Sequence, residues 1–196
     1  MAAKTQNVQG ETTTITAAEQ LANWVADQHS GQIIKKTGTP YLNHLITVAT
    51  MAKPAVRLGY EIGLCHDLLE DTHATGNELL HTLRNFGYPE TDAHEITASV
   101  LELTDVYTKK AYPNLSKTQR KKLESTRLLT ISASAQTVKY ADLIDNINWV
   151  LIYDPKHAEK YLKKKRLLLS GLNRGDSALR QQALELINHS LLKAGK

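Results

Sequence analysis

The densest chemistry in the chain lies in CHDLLEDT, residues 65–72, where His66, Asp67, Glu70 and Asp71 sit among Leu64, Leu68 and Leu69. A soluble core does not hold that much charge without partners. On a helix, residues four apart share a face, which pairs His66 with Glu70 and Asp67 with Asp71. Neighbouring positions differ by about 100° around the axis. His66 and Asp67 can therefore both reach one point close to the helix flank, and a divalent metal ion would serve as that point. One helix cannot complete a ligand set. His44 in YLNHLITVA and Asp142 in VKYADLIDN each interrupt an otherwise apolar helix and are the candidates for the remainder. Two imidazoles and two carboxylates leave positions for water and suit Mn²⁺, Fe²⁺ or Zn²⁺ better than Ca²⁺. A lone histidine on an apolar face is more often a satisfied core residue, and a His-Asp pair alone means little. The order His…His-Asp…Asp across three apolar helices carries the weight.

These residues need helices to hold them, and the whole chain reads as all-α. No segment sustains the alternation that a strand requires. Thr16 with Glu19 makes a capping box that opens a helix through about Gln28. Pro40 suits the first turn of a second helix to about Lys53, with Leu42, Leu45, Ile46 and Ala49 as its buried stripe. Pro54 ends it, and a third helix is expected from about Ala55 to Asp71. Shorter helices follow near 76–86 and 91–103, then a loop from Asp105 to Ser116 carrying Pro113. Helices near 117–130, 133–152, 155–171 and 176–193 complete the chain.

At 196 residues the chain is long enough for one sizeable core. It reads as a flexible leader over 1–15 and a single domain over 16–196. Hydrophobic content of 41% and charged content of 22% fit an ordinary soluble protein. The single Cys65 excludes an internal disulfide and a cysteine-cluster metal site, and suits the cytoplasm; in its apolar run it reads as a buried, inert thiol. There is no signal-peptide run and nothing approaches a membrane span. A net charge of +4 and a pI near 9.0 are compatible with an anionic small molecule or with nucleic acid.

The three segments together resemble the HD-domain metal-dependent phosphohydrolases, and within them the RelA/SpoT-type (p)ppGpp hydrolases, especially the stand-alone small alarmone hydrolases. GTPYLNH (Gly38 to His44) resembles that branch's Gly-x-Pro-Tyr-x-x-His segment. HDLLEDT (His66 to Thr72) resembles its His-Asp-x-x-Glu-Asp-Thr segment, and KYADLIDN (Lys139 to Asn146) its Lys-x-Ala-Asp-x-x-x-Asn segment. The similarity runs over roughly residues 16 to 172. It implies an HD-domain helical bundle with one divalent ion, typically Mn²⁺, on His44, His66, Asp67 and Asp142. It implies that Glu70 and Asp71 handle the hydrolytic water and its protons. It places Lys35, Lys36, Lys139, Asn146 and Tyr161 against the nucleotide. Lys35 stands where the family's arginine can stack on guanine, and lysine lacks the planar guanidinium.

The expected activity is hydrolysis of the 3′-pyrophosphate of (p)ppGpp to GDP or GTP. The substitution at Lys35 motivates an alternative substrate, an adenosine analogue such as (p)ppApp or another nucleotide phosphate ester. A non-catalytic nucleic-acid-binding module rests only on pI and the lysine runs, and leaves the buried ionisable residues unexplained. The runs Lys121-Lys122 and Lys163 to Arg166 read as solvated helix faces. His29, His73, His81, His94 and His189 read as surface or capping residues, and Trp24 and Trp149 as core or interface positions. Base preference and oligomeric state are not written in the sequence.

Overall fold

The computed structural model describes residues 15–194, and among them every regular element is a helix. The leader expected over 1–15 lies outside the described residues except for Ile15. The helices are α1 (Ala17–Gln28), α2 (Leu42–Ala52), α3 (Gly59–Cys65), α4 (Leu68–Asp71), α5 (Gly76–Asn85), α6 (Glu90–Leu103), α7 (Lys117–Leu128), α8 (Ala133–Tyr153), α9 (Pro155–Gly171) and α10 (Ser177–Ala194). The capping box of Thr16 and Glu19 forms as expected. Thr75 with Glu78 and Ser116 with Gln119 repeat it at the starts of α5 and α7.

One expected element differs. The single helix from Ala55 to Asp71 is instead α3 and α4, separated by a turn at His66–Asp67. The His66 imidazole donates from Nδ1 to the Gly63 carbonyl at 2.7 Å, the oxygen that a continuing helix would offer to the Asp67 amide. Asp67 accordingly leaves helical geometry, at φ −102° and ψ 1°. Helical face-sharing thus does not describe how His66 relates to Glu70, or Asp67 to Asp71. In α2, Ile46 is 41% exposed rather than part of the buried stripe.

The core is one cluster in which α2 packs along both α3 and α8. Leu45, Val48 and Ala49 of α2 meet Ile62, Leu64 and Cys65 of α3 and Leu143 and Ile147 of α8, all nearly or fully buried. Cys65 is buried as expected, and burial pushes its thiol up, away from reactivity. Burying a Leu or Ile side chain stabilises by about 1.5–3 kcal/mol, so this seam fixes the relative positions of the three elements. Glycine sets its spacing. A Cβ on Gly63 would lie 2.7 Å from the Ala49 Cα and 2.9 Å from the Ala49 nitrogen, so the α2 and α3 backbones approach this closely only because residue 63 has no side chain.

Between α1 and α2, residues 32–41 fold back on themselves. Tyr41 N–H donates to the Gln32 carbonyl and Ile34 N–H to the Thr39 carbonyl, with Ile33 bridging Pro40. The turn requires positive φ at Lys36 (68°) and Gly38 (73°). Two side chains fasten this loop. Gln32 Nε2 donates to the Asp71 carbonyl at 2.6 Å, and Trp149 Nε1 donates to the Lys35 carbonyl at 3.2 Å.

Candidate metal centre

The close α2–α3 seam brings His44 and His66 together, with Nε2 atoms 3.2 Å apart. Asp142 on α8 presents Oδ1 at 3.6 Å from His44 Nε2 and 3.8 Å from His66 Nε2. Among the described residues, these three offer one donor atom each within 4.8 Å of one another. Asp67 joins from the α3–α4 turn, its Oδ2 being 3.1 Å from His66 Nε2 and 3.6 Å from His44 Nε2. The break in the expected helix is therefore what aims Asp67 at the same point. All four expected ligands converge, from elements up to 98 positions apart in sequence (142 − 44).

The donor set fits a divalent cation. Each imidazole spends Nδ1 on an acceptor: His44 on Asp145 Oδ2 at 2.6 Å, His66 on the Gly63 carbonyl. A carbonyl can only accept, so His66 Nδ1 carries a proton and Nε2 is the nitrogen left to bind a metal. Partners of this kind orient metal-binding histidines. Two Nε2 atoms facing each other at 3.2 Å need positive charge between them, a proton or a metal ion. Donors held about 2.1 Å from one ion at a right angle would lie about 3.0 Å apart.

The electrostatics say the same. Burial alone would lower the His44 imidazole, but hydrogen bonds to Asp145 and Asp67 and the charge of Asp142 outweigh it and raise it to about 10. His66 is likewise raised against its burial, chiefly by Asp67. Asp142 is buried and Asp67 partly so, yet both are held below the usual carboxylate range. For Asp67 the opposing causes are His66, His44 and Tyr41; for Asp142 they are Lys139 and His66. The cluster thus attracts cations, and a metal would take the place of the protons the imidazoles otherwise hold.

Asp145 and Tyr41 were not singled out from sequence. Tyr41 donates its hydroxyl to Asp67 Oδ2 at 2.5 Å. Asp145 lies one turn from Asp142 on α8, so its spacing was visible, but nothing local marked it as the partner of a histidine 101 residues away.

Glu70 and Asp71 stand at the rim, exposed as residues but with carboxyls partly shielded by their surroundings. Glu70 accepts a short hydrogen bond from the Asp105 amide. Its carboxyl lies among Asp105, Asp67 and Lys139, and partial burial with the charge of Asp105 pushes it up to about 7. Glu124, buried on α7, holds the loop after α6 in place by accepting from the amides of Val106 and Tyr107 at 3.0 Å each. Asp71 is raised by burial and by Asp67.

A cavity of about 540 Å³ opens on the centre, within the range of small-molecule sites. It is lined by Lys35, Tyr41, His44, Asp71, Asn146 and Trp149, among others. Lys35 and Asn146, both expected against the nucleotide, are among the residues lining it. Lys36 does not line the cavity: its ammonium bonds the Tyr153 carbonyl and lies 5.6 Å from the Trp149 ring centre. Trp149, expected as a core or interface residue, forms part of the cavity wall. Asn146 also donates a short hydrogen bond to Asp142 Oδ1.

Lys139 pairs with the other Asp142 oxygen, Oδ2, at 2.7 Å. Tyr161 is half-buried close enough to Asp142 to feel its charge. Lys165, read from sequence as part of a solvated run, instead turns inward over the Tyr161 ring, 5.2 Å from its centre. His29 also departs from expectation. It is buried, stacks on Tyr41 at 5.5 Å, and spends Nδ1 on Gln32 while Nε2 has no partner. His73, His81, His94 and His189 are exposed as expected.

The architecture is an all-α bundle whose helices converge on a two-histidine, two-carboxylate centre. The same fold occurs in a solved structure described as a metazoan ortholog of SpoT that hydrolyzes ppGpp and plays a role in starvation responses. The match has a TM-score of 0.72 at 23% identity and covers 92% of this chain and 99% of that one. In sequence the chain is 29% identical, over 121 residues, to guanosine-3′,5′-bis(diphosphate) 3′-pyrophosphohydrolase MESH1 of Drosophila melanogaster. That alignment takes in 60% of this chain and spans 59% of the length of the curated relative. No family model matches the chain. Among the described residues, no helix is long and apolar enough to cross a membrane.

Proposed function

We propose that the chain is a metal-dependent phosphohydrolase that removes the 3′-pyrophosphate of (p)ppGpp, leaving GDP or GTP, in the cytoplasm and with Mn²⁺ as the ion. The observation that carries this reading is the convergence of His44, His66, Asp67 and Asp142 on one point beside a cavity of nucleotide size, with Glu70 and Asp71 at its rim. The names of the sequence relative and of the structural neighbour support the same reaction.

Bound there, a divalent ion would lower the pKa of a coordinated water and draw charge from the phosphoryl oxygens. The protein's part is positioning and proton handling. His44 and His66 present Nε2 because Asp145 and Gly63 hold their other nitrogens. Glu70, raised to about 7, can accept a proton from water near neutral pH, and Asp71 beside it can hold the water in line. Lys139 offsets phosphate charge at the second Asp142 oxygen. Asn146 and Lys35 line the cavity on the nucleotide's side, and Trp149 gives it an aromatic wall. The test is pyrophosphate release from ppGpp with Mn²⁺. Wild type should release it, and Asp67→Ala should fall by a factor of 100 or more; no release, or equal release by the variant, overturns the reading.

Adenine in place of guanine is favoured by one observation: Lys35, not arginine, faces the cavity. Comparing kcat/KM for guanosine and adenosine substrates separates the two.

A further inference from the structure

We propose that Lys165, with Lys139, forms an anion subsite beside the metal centre that grips phosphoryl oxygens of the substrate. Three features of α9 and α8 lead there. Lys163, Lys164 and Arg166 are exposed, and Lys163 pairs with Glu159 at 2.5 Å. Lys165 alone in that run turns inward, because it follows Tyr161 by four residues and shares its helix face. Its ammonium lies over the Tyr161 ring, 5.2 Å from the ring centre, which fixes where the charge ends up.

The charge ends beside its own kind. The Lys165 ammonium is close enough to Lys139 to feel its charge, and more weakly that of Lys121, with Asp142 and Asp105 as the opposing acids. Asp142 is already engaged by Lys139 at Oδ2 and by Asn146 at Oδ1, where it also meets the two imidazoles. Asp105 feels Lys165 too, but more weakly than it feels Lys139 and Arg127. Among the described residues, no carboxylate lies within ion-pairing distance of Lys165. A half-buried ammonium beside a like charge costs stability unless something anionic joins it. Burial and Lys139 together push it down to about 8. Lys139 on Asp142 and Lys165 on the Tyr161 ring put two ammonium groups within each other's field, which matches the several oxygens of a diphosphate better than any single-charge ligand.

The proposal takes the identity of its anion from the nucleotide phosphohydrolase reading, and the test separates the two. The probe is inorganic pyrophosphate, titrated calorimetrically into the metal-free protein. Wild type should bind it, and Lys165→Met, which keeps an unbranched stem and removes the ammonium, should bind about tenfold or more weakly, the worth of one charge-assisted hydrogen bond. Lys163→Met should bind as wild type does. With ppGpp and Mn²⁺, Lys165→Met should show a KM raised by a similar factor at little-changed kcat, and Lys165→Arg should recover most of it. The ligand-free Lys165→Met protein should melt no lower than wild type, because the variant loses an uncompensated charge. Equal pyrophosphate binding by wild type and Lys165→Met, or a KM within twofold, overturns the subsite. A wild type that binds pyrophosphate through Lys165 but leaves ppGpp intact would keep the subsite and sink the substrate.

Discussion

Asp145 shows how much of the centre depends on residues that would not touch the metal. Its carboxylate accepts from His44 Nδ1 at 2.6 Å and so fixes which nitrogen faces the metal. Removing such a partner typically weakens metal binding by about 10- to 100-fold. Asp145→Ala should therefore need that much more Mn²⁺ for half-maximal activity, while full activity returns at saturating metal; an unchanged metal requirement would show that the hydrogen bond is idle. Glu70 makes a second prediction. In the metal-free protein its carboxyl is raised from its ordinary 4.5 to about 7. The folded state then holds a proton that the unfolded state has given up between those values, so stability falls as pH rises through that window, and the cost is complete above about 7. Glu70→Gln removes the cost. Its melting temperature should gain on wild type from pH 5 to pH 8 while its activity drops, and a pH-independent difference would contradict the assignment. The convergence of His44, His66, Asp67 and Asp142 could be read from sequence because each puts a polar group into an apolar stretch, which is costly without a purpose. Asp145, Tyr41 and Lys165 could not. An aspartate one turn on, a motif tyrosine and a lysine in a basic run look ordinary until the fold shows what each faces.

At the scale of elements, the seam between α2 and α3 places His44 against His66, and Gly63 permits that seam. A methyl group at this position would meet the Ala49 backbone at 2.7 Å, where no side-chain rotation relieves it. Gly63→Ala should cost at least about 1–3 kcal/mol, the usual range for over-packing, and should lower metal affinity more than an equally destabilising change far from the seam. A variant with wild-type melting and wild-type metal binding would mean that the two helices are free to part. Periodicity located nearly every helix, and the Thr16–Glu19 capping box placed the start of α1, while α3 begins at Gly59, four residues after the expected Ala55. It missed the break at His66–Asp67, because leucines run straight through it and the cause is a side-chain bond from His66 to the Gly63 carbonyl. The break turned out to serve the site, since a continuous helix would have aimed Asp67 elsewhere.

For the whole molecule, ten helices among the described residues bring together a candidate metal centre, a cavity with an aromatic wall, and Lys139 paired with the expected ligand Asp142. All-α architecture followed from the missing strand pattern, and the bundle type from three motifs in order. What lay beyond sequence was long-range proximity: Trp149 reaching the loop at Lys35, and α9 delivering Lys165 to α8. The most direct test of the account is phosphorus NMR of ppGpp incubated with the protein and Mn²⁺. It should show pyrophosphate and GDP appearing in equal amounts, with no signal from free orthophosphate, and no reaction once the metal is chelated. Orthophosphate as the product, or turnover that survives chelation, would contradict it.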